Sequence, residues 1–195
     1  MESKTVYFDE PGAVNTAETL RLARQRADEL GIKTVLIAST SGETAVKAMD
    51  VFQGLRVVVV SHSTGFIEAN MQEFTEENRK IVESKGSTIL TTTHAFGGIC
   101  RAMRQGEVPP FNATYVVGDI IAHTLRIFGN GVKVACEISL MAADAGLVRT
   151  DEEVIAIAGT GRAGRGSDTA VVLKPDHAHH FFDLRVKEII CKPRF

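Results

Sequence analysis

A chain of 195 residues, 44% hydrophobic and 24% charged, has the length and composition of one globular domain with a full core. Its formal net charge of −2, with basic residues scattered, leaves no electrostatic footprint for nucleic acid, and no apolar run approaches the ~18 residues of a membrane span. Cys100, Cys136 and Cys191 lie far apart without a CxxC pair, and no apolar leader follows a basic start, which predicts reduced thiols in a cytoplasmic protein.

The first predicted strand covers residues 5–8. Asn15 or Thr16 is placed to cap a helix, with Glu18 suited to a capping box, and Leu20, Ala23, Ala27 and Leu30 form its apolar stripe before Gly31 ends it. Residues 33–38 predict a buried strand, 39–42 a turn into a helix reaching Phe52, and 56–60 a second fully apolar strand. A helix over 76–84, a strand over 88–91 and a helix over 99–104 follow. Beyond Pro109-Pro110 the pattern predicts helices over 115–128 and 132–145, then strands over 154–158, 169–173 and 184–190. Strand, loop and helix at this rhythm predict a three-layer α/β/α sandwich with a mostly parallel sheet. The last third passes from strand to strand without helices, which predicts mixed edge strands. No repeat or linker divides residues 1–195, so one domain is expected.

Ligands of open parallel sheets bind beyond the carboxyl ends of the strands. Three successive strands here lead into loops of one chemical type. These are Ser39-Thr40-Ser41-Gly42, then Ser61-His62-Ser63-Thr64-Gly65, then Thr91-Thr92-Thr93-His94 running to Gly97-Gly98. In the first, helix N–H groups, the hydroxyls of Ser39, Thr40, Ser41 and Thr44, and close approach at Gly42 suit a phosphate; a plain helix cap is the alternative. No GK[ST] follows, so the loop is not a Walker A motif. Glu43 in the first turn suits the helix dipole but repels a second phosphate, and Lys47 stands one turn on.

The GxGxxG string over residues 159–166 leads into a strand, not a helix, and so is no dinucleotide fingerprint. It reads either as a flap offering Gly161 with Arg162 or Arg165 to a ring, or as a hairpin with solvated arginines. His62 and His94 are candidate ligand-contacting or catalytic residues, though loop histidines are also ordinary surface groups. With Ser63, His62 could support nucleophilic chemistry only beside an orienting carboxylate. Phe66 and Phe96 are either ring walls or core, and Gly118-Asp119 opens a helix as a cap or as part of the site. His177, His179 and His180 near Asp176 and Asp183 lack a distant partner, so no metal site is assigned.

The stretch Ser39-Thr40-Ser41-Gly42-Glu43-Thr44-Ala45 resembles the effector-phosphate loop of the pyruvate kinase carboxyl-terminal domain. Taken with 93–98, 141–147, 159–168 and 182–189, the whole chain resembles small stand-alone relatives of that domain, among which bound FMN has been seen. The resemblance implies FMN as cofactor, with its phosphate on 39–44 and its ring near 62–66, 94–98 and 159–166. With no barrel domain in the sequence, pyruvate kinase activity is not expected. Three functions stay open: a flavin-dependent oxidoreductase, a non-catalytic sensor or carrier, and a hydrolase or transferase acting on a phosphorylated metabolite through His62 or His94. Self-association into a homo-oligomer is a family-level expectation.

Overall fold

Apolar runs too short for helices and bounded by glycine and hydroxyl residues become the strands, and the periodic stretches between them become the covering helices. The computed structural model describes residues 2–105, 116–161 and 166–194. In chain order it has β1 (Val6–Phe8), α1 (Thr16–Leu30), β2 (Thr34–Ala38), α2 (Glu43–Val51), β3 (Arg56–Ser61), α3 (Glu76–Ser84) and β4 (Thr88–Thr91). Next come α4 (Gly98–Gln105), α5 (Val117–Arg126), α6 (Asn130–Asp144), β5 (Val154–Ala158), β6 (Thr169–Lys174) and β7 (Arg185–Pro193). The doublet Pro109-Pro110 lies outside the described residues.

Seven strands form one sheet in the order β1-β7-β6-β5-β2-β3-β4. All pairings are parallel except those of β6, which runs against both β5 and β7. The connections of the last third, which among the described residues hold no α-helix but a 3-10 helix over Ala178–Asp183, reverse one interior strand, while the edge strands β1 and β4 run with the rest. β7 extends past the predicted 190 because Cys191, Lys192 and Pro193 pair with Val6, Tyr7 and Phe8.

Alternation along the strands divides the core between two faces. Val35, Ile37, Val57, Val59, Ile155 and Ile157 meet Leu20, Ala23, Ala27, Ala45, Ala48, Phe52 and Val82 from α1, α2 and α3. Leu36, Val58, Val60, Ala156 and Ala158 turn the other way, onto Val132, Ala135, Ile138, Met141 and Ala142 of α6. Each buried aliphatic side chain contributes about 1.5–3 kcal/mol. β5 is buried at all five positions, so the sheet centre is the rigid platform from which the loops project.

The capping box expected at the start of α1 does not form. Asn15 donates its side-chain amide to the Glu10 carbonyl, and the Thr16 hydroxyl accepts the buried N–H of Ser167. Glu18 bonds Arg21, one turn along the same exposed face. The tertiary demand for an acceptor at Ser167 outweighs the local cap.

Candidate functional site

β2 and β5 are neighbours, yet the chain leaves β2 toward β3 and leaves β5 toward β6. Crevices at such a reversal are where open α/β sheets hold ligands. A cleft of about 320 Å³ opens there, lined by Ser39, Thr40, Ser41, Glu43, Thr44, Lys47, His62, Phe66, His94, Asn130, Lys133, Glu137 and Gly161 among others. The volume lies in the ordinary range for a small-molecule pocket.

One end is built by the β2–α2 turn. Ser39 N–H donates to the Val60 carbonyl, and the Ser39 hydroxyl accepts from Ala45 N–H at 3.4 Å, so Ser39 rather than Ser41 steadies the first turn of α2. The N–H groups of Glu43 and Thr44, at the first two positions of α2, have no acceptor within the helix. Ser41 and Thr44 are only 6% and 7% exposed, line the cleft, and spend neither hydroxyl on a hydrogen bond within the described residues. Both hydroxyls stay uncommitted on the wall of a cavity that Lys47 also lines, where they are available to a ligand. That donor set fits a phosphate monoester. Lys47 forms no ion pair with Glu43 among the described residues, so both charges face the cleft.

Gly42 has another task than the close phosphate approach expected of it. Its φ is 94°, and a Cβ there would lie 2.6 Å from Asn78 Cβ and 2.7 Å from a Phe74 ring carbon. The missing side chain makes room for the loop before α3, which Asn78 Nδ2 and Thr75 N–H tie to the Ser41 carbonyl at 2.9 and 3.2 Å.

At the other end three rings meet. Phe66 lies 4.2 Å from His62 and 5.0 Å from His94, centroid to centroid, and the histidines are 5.2 Å apart. The Arg101 guanidinium stacks over Phe66 at 4.1 Å. His62 Nδ1 is 2.7 Å from Glu73 Oε2, and its Nε2 faces the Thr40 hydroxyl at 3.5 Å. The carboxylate that nucleophilic chemistry at His62 required is therefore Glu73, and the hydroxyl opposite is Thr40, not Ser63. Burial holds the His94 imidazole below its ordinary value, with the nearby Glu137 carboxylate acting the other way.

The floor is an ion pair on α6. Lys133 Nζ bonds Glu137 Oε2, and Glu137 Oε1 accepts the N–H of Phe96 at 3.0 Å. Beyond it lies a second lobe of about 810 Å³, which shares Phe66, His94, Arg126, Lys133 and Glu137 with the first.

Of the residues read from sequence, Ser39, Thr40, Ser41, Glu43, Thr44, His62, Phe66, His94 and Gly161 line the first lobe. Ser63, Gly65, Phe96, Gly97, Gly98 and Asp119 line the second. Gly42, Thr64 and Gly118 line neither lobe. Thr64 accepts from Gln72, and Gly118 lets α5 pass the Phe96 carbonyl, which a Cβ would meet at 2.3 Å. Phe96 is chiefly core, 5% exposed and edge-on to Phe181 at 5.7 Å. Arg162 and Arg165 lie outside the described residues. The 159–161 turn is a hairpin arm: Asp168 Oδ2 takes Thr160 N–H, the Thr160 hydroxyl and Gly12 N–H, and Asn130 Nδ2 donates to the Gly159 and Thr160 carbonyls. His177 bonds Asp144, and no cluster of three or more metal-type ligands occurs among the described residues. Nor, among them, is any helix long and apolar enough to cross a membrane.

Sequence reasoning missed Glu73, Arg126, Asn130, Lys133 and Glu137. For Lys133 and Glu137 a signal existed: two opposite charges four residues apart inside an otherwise apolar helix. Glu73 stands in a connecting loop, and its meeting with His62 has no local signature.

The profile of the pyruvate kinase alpha/beta domain matches residues 17–173. Two solved pyruvate kinase structures from Cryptosporidium parvum are similar to this chain. One is 12% identical with a TM-score of 0.35, covering 76% of this chain and 21% of that one. The other, in complex with ADP, is 13% identical with a TM-score of 0.38, covering 85% of this chain and 24% of that one. This chain therefore spans about a fifth to a quarter of those kinases, and nothing in the site is read from them. The profile runs from α1 almost to the end of β6, through both faces of the core and the loops after β2, β3 and β4, and the chain belongs to the pyruvate kinase α/β-domain family.

Proposed function

We propose that this protein binds a small phosphate monoester in the cleft, and that FMN is the ligand with the best fit. The phosphate would rest on the turn before α2, and a planar ring against Phe66, His62 and His94. The supporting observation is the pair of cleft-lining hydroxyls, Ser41 and Thr44, uncommitted within the described residues and standing at a helix N-terminus beside a three-ring wall. Glu43 opposes a second phosphate close to the first, which favours FMN over a bisphosphate. Pyruvate kinase activity is not proposed, and a cytoplasmic location fits the three free thiols.

The visible spectrum of gently purified protein, with chromatography of the released ligand, tests the reading. Oxidised-flavin bands with FMN near one per chain are expected, and loss of binding in Ser41→Ala/Thr44→Ala is the check on the loop. A colourless protein that takes up no added FMN sinks the flavin assignment. If FMN serves as cofactor it supplies electron transfer, and reversible bleaching by a reductant reads that out. A second reading, chemistry on the phosphate ester itself, is favoured by the array of Thr40, His62 and Glu73.

A further inference from the structure

We infer that Thr40, His62 and Glu73 form a nucleophile, base and orienting carboxylate for phosphoryl transfer from a phosphate monoester held in the β2–α2 turn. The inference rests on the phosphate-loop reading and concerns the fate of the ligand. A nucleophile within reach of a base, itself fixed by a third group, marks such sites, and the first contact is often loose before ligand binds. Here the distances are 3.5 Å from Thr40 Oγ1 to His62 Nε2 and 2.7 Å from His62 Nδ1 to Glu73. Glu73 holds the proton on Nδ1, so Nε2 presents its lone pair to Thr40. The β2–α2 turn supplies Thr40, and the loop from β3 to α3 supplies both His62 and Glu73. Gln72 already ties the 62–75 loop, donating to the His62 carbonyl at 3.0 Å and accepting from Phe74 N–H at 3.0 Å. Of the four loop hydroxyls only Thr40 reaches a histidine; Ser39 is spent on Ala45, leaving Ser41 and Thr44 for the phosphoryl oxygens.

In the first half-reaction Thr40 Oγ1 bonds to phosphorus as the P–O ester bond breaks. The Thr40 proton passes to His62 Nε2 and then to the departing alkoxide. In the second, water gives its proton to His62 and bonds to phosphorus, and Thr40 leaves with the proton restored. The sum is ester plus water giving alcohol plus inorganic phosphate, with no oxidant or reductant. Thr40 and His62 are the catalytic residues and Glu73 a positioning residue.

The test measures phosphate release by the full chain from p-nitrophenyl phosphate and from FMN, with acid-quenched protein analysed by mass for phosphothreonine. Wild-type turnover is expected, with one phosphoryl group trapped on Thr40. Thr40→Val should abolish release while Thr40→Ser restores it, so a folding defect is separable from a lost nucleophile. His62→Gln should lower the rate roughly a hundredfold or more, and Glu73→Gln should lower kcat with KM little changed. Turnover by Thr40→Val at the wild-type rate overturns the inference. So does FMN binding without release from either ester, which leaves the ligand reading standing. Failure to bind either ester in a titration removes both.

Discussion

The ion pair under the cleft offers the sharpest energetic test. Lys133 and Glu137 have side-chain exposures of 10% and 5%, so water screens neither well. Removing one partner of such a pair strands a buried charge, at a cost of about 3–5 kcal/mol. Glu137→Leu also strips the acceptor from Phe96 N–H, adding about 1–3 kcal/mol, whereas Lys133→Met leaves that bond in place. The double variant strands no charge and should lose only about 1–3 kcal/mol, the cost of the orphaned N–H. Urea unfolding at constant m, read as a double-mutant cycle, should thus give a double variant more stable than either single one. At roughly 2–4 °C per kcal/mol for a chain of this size, Glu137→Leu should melt roughly 10–30 °C lower. Additive losses, or single variants each costing under about 0.5 kcal/mol, would show that the pair is solvated in solution and that the floor is not the closed one seen here.

Three further outcomes follow from the same geometry. Gly42→Ala puts a Cβ at a positive φ and against Phe74 and Asn78, so thermal unfolding should show a loss of about 3 kcal/mol; a loss near zero would mean the loop before α3 yields freely. His94 is held below the ordinary imidazole value of 6.5, chiefly by burial, so the unfolded chain takes up its proton first. Its contribution is therefore full above that value and is lost as pH falls through the lower folded value, and His94→Asn should flatten the acid slope of stability. Burial pushes the Cys136 thiol up to about 12 and Cys191 to about 11, so a thiol reagent should label Cys100 rapidly in the native protein and all three after unfolding. Fast native labelling of Cys136 or Cys191 would count against the burial.

Strands β2, β3 and β5 were readable because parallel strands covered on both faces leave near-continuous apolar runs, as in residues 57–60 and 154–158. The loops after β2, β3 and β4 were readable for a related reason: parallel neighbours end at one edge, so 39–44, 62–66 and 94–98 had to converge. Other features depend on which partner arrives across the cleft. Thr16 lost its cap to Ser167, Phe96 became core beside Phe181, and Gly42 yielded its space to Phe74. Glu73 could not be foreseen as the partner of His62, because a loop carboxylate reads the same whether it meets solvent or a histidine.

The two ends of the cleft are anchored by different means, and that difference bears on what the site can do. The phosphate end stands on the sheet itself, since Ser39 bonds the Val60 carbonyl at the end of β3 and Thr44 belongs to a helix packed on the core. The ring end hangs on side-chain ties: Gln72 to the His62 carbonyl, Glu73 to its imidazole, and Glu137 to Phe96. Groups fixed by strands keep their spacing, while connecting loops tied outside the sheet ladder shift at smaller energetic cost. A ligand phosphate should thus meet a preformed cradle, and the remainder of the ligand a wall that adjusts. Closing the 3.5 Å gap between Thr40 and His62 to a working hydrogen bond needs only a shift of the loop end, whose register the Glu73 and Gln72 ties control.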